Sequence, residues 1–123
     1  TDLKLKIIDA LSKSKLKGLI LTTVYIGKKD IFRLAKKIKN IVIKNKGDFY
    51  SVRLETDKST ILKRVTNKSR KSYGKISSKK ELINYINKYG LNNILPFKNQ
   101  FTINNTKTSA KEVAKQIKEH YHL

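Results

Sequence analysis

The residues of this chain that could do chemistry are almost all cations. Lys and Arg together number 29, against nine Asp plus Glu, two histidines and no cysteine. Asp30, Asp48, Glu55 and Asp57 sit singly at the ends of predicted elements, so no carboxylate pair is set up for acid–base work. His120 and His122 are one residue apart, a poor spacing for one helical face, and read as a C-terminal tail. Neither a metal cluster nor a nucleophile–base set can be assembled. Only four of the cations are arginines, Arg33, Arg53, Arg64 and Arg70, the type whose planar fork grips phosphate and guanine with two bonds, and this scarcity counts against a nucleic-acid role. Arg64 ends a short helical pattern, where by itself it reads as a solvated cation favoured by the helix dipole. Arg70 lies in 66–77, a polar, cationic stretch without an apolar stripe, read as a loop. Tyr73, Tyr85 and Tyr89 stand near lysines and could stack on bases, although Tyr85 and Tyr89 at helical spacing also suit a core edge.

The formal net charge is +20, and 25 of the 29 basic residues are Lys. Lys, Asn and Ile make up 50 of the 123 residues, and all three have A/T-rich codons. The charge therefore has two readings: a compositional bias spread over solvated faces, or a surface for polyanions. Either way, weak and salt-sensitive adhesion to nucleic acid is expected. No apolar run approaches the roughly 18–20 residues of a membrane span, so no membrane partner is expected. Without cysteine or a leader-like start, the expected setting is a reducing, cytoplasmic one.

Apolar periodicity sets out the elements that must hold these cations. Helices are predicted over 2–16, from Asp30 as N-cap to Asn45, over a short run after Asp57, from Ser78 to Gly90, and from Ser109 onward. Ser78/Glu81 and Ser109/Glu112 have capping-box spacing, in which each side chain satisfies an orphan amide. Strands are predicted at 19–26, 49–55 and 100–104. The first of these, Leu19-Ile20-Leu21-Thr22-Thr23-Val24-Tyr25-Ile26, is β-branched and nearly all apolar, the pattern of a strand covered on both faces. Strands alternating with helices predict a single α/β domain or domain fragment: a three-layer parallel sheet with flanking helices. From sequence alone, Thr106, Lys107 and Thr108 are a turn leading to an N-cap.

Residues 49–113 resemble the C-terminal part of small P-loop kinases of the shikimate-kinase and adenylate-kinase-like group. The resemblance rests on the strand ending in an acidic turn, then Asp57-Lys58-Ser59-Thr60-Ile61-Leu62-Lys63-Arg64-Val65. The lid-like Ser69-Arg70-Lys71-Ser72-Tyr73-Gly74-Lys75 follows, and the chain closes with Phe101-Thr102-Ile103 and the segment 104–113. It implies that Arg64 and Arg70 act in a cationic lid over 66–77, and that Thr106, Lys107 and Thr108 line the adenine. The implied partners are a nucleotide and a small-molecule phosphate acceptor. A phosphate loop ending in Gly-Lys-Ser/Thr is missing: Gly18, Gly27, Gly47, Gly74 and Gly90 are isolated. ATP and magnesium are thus expected only where such a loop accompanies these residues, and the chain reads as the back half of a kinase. By itself it is expected to be inactive. Alternatives are a basic nucleic-acid-binding domain, or an inactive relative acting through protein contacts.

In that family the strand leading into the phosphate loop lies between the counterparts of 19–26 and 49–55. Its absence predicts an open edge between them, filled by other polypeptide or a self-associating copy, or else their direct pairing.

Overall fold

The computed structural model describes residues 2–123, which divide into two compact units, 2–50 with 93–97 and 51–92 with 98–123.

In the first unit, helix α1 (Asp2–Lys13) packs on helix α2 (Lys29–Lys44). Of the apolar stripe on α1 only Ile8 is buried, while Leu3 and Ile7 stay exposed. The Asp9 carboxylate accepts from Lys13 Nζ at 2.6 Å and from Asn45 Nδ2 at 2.9 Å. These two bonds hold its carboxyl below the usual Asp range. Lys28, not Asp30, is the N-cap of α2 and offers no side-chain bond; Asp30 lies in the first turn, paired with Arg33 at 3.3 Å. There it still complements the dipole. The helix ends where Gly47 N donates to Val42 O at 2.9 Å. A Cβ on Gly47 would stand 3.0 Å from Val42 Cγ1, so the close return of the chain suits glycine. Phe97, from the connection after Pro96, lies between Phe32 and Phe49, with ring centroids 5.5 and 5.4 Å away.

The predicted strand at 19–26 does not form. The segment is neither helix nor strand, and Ile20 is 90% exposed, with Leu19, Leu21 and Val24 also exposed. It neither pairs with 51–55 nor borders a further strand, and no three-layer parallel sheet exists among the described residues. The physical reason is that a strand is a property of two segments. The run has the right side chains, but no ladder partner and no cover for its faces.

The second unit holds the sheet. Strands β1 (Ser51–Glu55) and β2 (Gln100–Asn104) pair in parallel, with Ser51 opposite Gln100 and Glu55 opposite Asn104. Parallel strands need a long crossover. Here it carries three helices, α3 (Lys58–Arg64), α4 (Lys68–Ser72) and α5 (Lys79–Tyr89). Helices α3 and α5, with the turn at Ile76, close over a small apolar cluster, in which buried Val65, Leu82 and Ile86 meet Ile61, Leu62 and Ile76. Helix α6 (Ala110–Tyr121) follows and packs on β2, burying Val113; Ile103 of the strand is also buried. Both predicted serine caps are made. Ser78 Oγ accepts from Glu81 N, and Ser109 Oγ from Glu112 N, each at 3.2 Å. Gly90 ends α5 at φ 76°, a left-handed conformation that glycine adopts without strain.

Ser109→Ala is expected to lower the urea midpoint by the equivalent of about 1 kcal/mol. Ser109→Asp should restore it, because a carboxylate at the same place also accepts from the N3 amide. An unchanged midpoint in Ser109→Ala would show that the cap carries no stability.

Candidate functional site

The carboxyl ends of the two parallel strands form the most densely bonded polar region of the second unit. Beyond the ladder, Asn105 N donates to Glu55 O at 2.8 Å, carrying the pairing one residue further. The Thr56 hydroxyl bonds the side-chain oxygen of Asn105. Asp57 N donates to Thr106 Oγ1 at 2.9 Å, so the cap of α3 comes from another strand's loop rather than from Asp57's own carboxylate. Asn104 Oδ1 accepts from Thr106 N at 3.0 Å, an Asx turn that bends the chain towards α6.

Arg64, at the end of α3, reaches across to this loop. Its Nη1 donates to Asn105 Oδ1 at 3.2 Å, and its Nη2 to Asn105 O at 2.9 Å and Thr106 O at 3.2 Å. All three acceptors are neutral. The guanidinium is therefore held in place without its charge being cancelled, and its exposed side remains open to an anion.

A cleft of about 490 Å³ opens beside it. Leu54, Val113, Ala114 and Ile117 give it apolar lining, and Arg64, Asn105, Thr108 and Ser109 give it polar groups. A few polar groups around an apolar hollow suit a planar ring with a charged substituent. Ligands of open parallel sheets also gather at the carboxyl ends of the strands.

The predicted site residues separate. Arg64, Thr106 and Thr108 come together here; the Thr108 hydroxyl lies 3.5 Å from Asn104 O and borders the cleft. Lys107 is exposed at the same turn. Arg70 is held within its own segment, where its Nε donates to Ile76 O at 2.7 Å and braces the turn after α4. The stretch 66–77, predicted as a loop, contains α4 because Asn67 caps it, its side chain accepting from Ser69 N at 3.2 Å. Tyr85 and Tyr89 lie against each other on α5, centroids 4.8 Å apart, and partial burial raises the Tyr85 hydroxyl above its usual pKa. Tyr73 is 76% exposed.

Asn105 and Thr56 were not singled out from the sequence. The available signal was Asn104-Asn105-Thr106 directly after a strand, where short amides fold back on the backbone. Among the described residues, no three His, Asp or Glu side chains converge as metal ligands. No protein-family model, curated protein or solved structure matches the chain.

Proposed function

We propose that the chain supplies the base- and lid-side portion of an ATP-dependent small-molecule kinase. The observation that carries this reading is the convergence of Arg64 with Asn105 and Thr106, 41 and 42 residues away, beside a partly apolar cleft at the strand ends. The cleft has the size and polarity for an adenine ring. Arg64 would then face the nucleotide's phosphates or the phosphoryl group in transfer, where charge spreads over oxygens. A positioned but unneutralised guanidinium stabilises such charge without reorganising. Lysine would not replace it, because one ammonium cannot reach two carbonyls and still present a flat face. The residues fit the base and one anionic group. They include no phosphate cradle and no hydroxyl that follows one to hold magnesium, so the chain alone should show no phosphoryl transfer.

The test separates the base from the charge. ATP and inorganic tripolyphosphate are titrated into the labelled 123-residue protein at about 150 mM salt, where the Debye length is roughly 8 Å. Both should shift lysine-rich surface signals, but only ATP should shift the amides of Asn105, Thr106 and Val113. Arg64→Ala and Arg64→Lys should each weaken the ATP-specific shifts about tenfold, the effect of losing roughly 1.4 kcal/mol. Identical shifts from ATP and tripolyphosphate would overturn the reading, as would phosphate release that survives Arg64→Ala.

A further inference from the structure

The cations are not evenly balanced over the molecule. Residues 58–80 contain nine of them, Lys58, Lys63, Arg64, Lys68, Arg70, Lys71, Lys75, Lys79 and Lys80, and no carboxylate. Four ion pairs form among the described residues, Lys13 with Asp9, Arg33 with Asp30, Arg53 with Glu55 and Lys115 with Glu119, and none of them involves a cation of 58–80. The stretch is also one body. Turns at Asn67, Tyr73 and Lys75, whose amides bond Arg64 O and Arg70 O, knit α3 to α4. Ile61, Leu62, Val65 and Ile76 point into the shared apolar cluster, and every cation except Arg70 is exposed. The result is a surface with a concentrated positive field.

We propose that this surface binds single-stranded nucleic acid, its lysines following the phosphates and Tyr73 stacking on a base. This is independent of the phosphotransferase reading. Charge complementarity selects a polyanion. Tyr73 is the one large hydrophobic side chain between 58 and 80 that is exposed, which leaves no apolar face to lie in a lipid headgroup layer. A single exposed ring stacks on an unpaired base, and a duplex offers none along its length.

The test uses fluorescence anisotropy of the full 123-residue protein with labelled twelve-nucleotide dT and rU oligomers. Two variants lose the same charge: Lys63, Lys68, Lys71 and Lys75 changed to Gln, or Lys4, Lys6, Lys111 and Lys118 changed to Gln. Circular dichroism checks that both keep their helices. Each phosphate contact on a single strand contributes about 0.7 to the slope of log affinity against log salt. The first variant should therefore flatten that slope by about 3 and lose about a hundredfold in affinity at low salt. The second should lose less than about threefold, the diffuse effect of charge alone. Tyr73→Ala should weaken binding about tenfold with the slope unchanged, and Tyr73→Phe should restore it. Equal loss from both quadruple variants would overturn the proposal. So would tighter binding to duplex DNA or to phosphatidylserine vesicles than to the oligomers, or no effect of Tyr73→Ala.

Discussion

Leu82→Ala is expected to abolish cooperative unfolding of the second unit at room temperature. Truncating a buried leucine costs about 2–5 kcal/mol, through lost transfer energy and the cavity left behind. Units of fewer than about 70–80 residues seldom draw more than roughly 3–5 kcal/mol from a single core. The cluster here is small, with Val65, Leu82 and Ile86 as its buried members, so the two quantities are of the same size. Little else in this unit could take up the loss, since there is no disulfide and its ion pairs, Arg53 with Glu55 and Lys115 with Glu119, join residues two and four apart. Urea titration followed by far-ultraviolet circular dichroism should show a broad, early transition. The neighbouring Ile83, 39% exposed on the same helix, is the internal control. Ile83→Ala should cost less than about 1 kcal/mol. Similar midpoints for the two variants would mean that Leu82 is not the centre of the core.

Raising the salt concentration should cause copies of this protein to associate, opposite to its effect on nucleic-acid binding. The segment 19–26 is neither helix nor strand, β-branched, free of proline and exposed over 19–24, the composition from which intermolecular strand pairing grows. Lys15, Lys17, Lys28 and Lys29 flank it, and a formal charge of +20 surrounds it. In either direction of pairing between two copies, lysine would meet lysine, which disfavours the contact. The Debye length falls from about 8 Å at physiological salt to about 3 Å at 1 M, and this protection falls with it. Light scattering should show 14.2 kDa monomers at low salt and larger species near 1 M. Ile20→Lys should remain monomeric at both, with its own stability changed by no more than about 0.5 kcal/mol because the side chain is exposed. Monodisperse wild-type protein at high salt would show that the segment is not adhesive.

Local chemistry was the part of this fold legible in the sequence. Ser78 with Glu81, Ser109 with Glu112, and Gly90 each state a helix end within four residues, and each is found where expected. Alternation of element types predicts parallel strands at 49–55 and 100–104 within a three-layer sheet; a parallel pair forms over 51–55 and 100–104, and the larger sheet does not. Leu19–Ile26 misled because apolar composition reports only one of the two partners that a ladder requires. Asp30 misled for a smaller reason: an acidic residue serves the helix dipole equally well one turn position inside the cap. Within the candidate site, Arg64 was visible as an arginine at a helix end. Two of its three acceptors were not, since the backbone carbonyls of Asn105 and Thr106 carry no side-chain signature. Arg70 shows the converse, an arginine whose type suggested phosphate while its Nε bonds the backbone six residues on.

The pairing of β1 with β2 also sets the order in which the molecule assembles. Thr56 bonds Asn105 and Asp57 bonds Thr106 across 49 residues, whereas the helices close within four. Long-range contacts cost loop entropy before they return any stabilisation, so they form late and slowly. Collapse of the crossover helices on Val65, Leu82 and Ile86 before the strands meet would shorten that search. During synthesis the helices can form as they emerge, but the Arg64 site cannot exist until Asn105 and Thr106 have left the ribosome. The loop that anchors the guanidinium is thus a timing element: the positive charge is fixed at the strand ends only in a chain whose sheet has already closed.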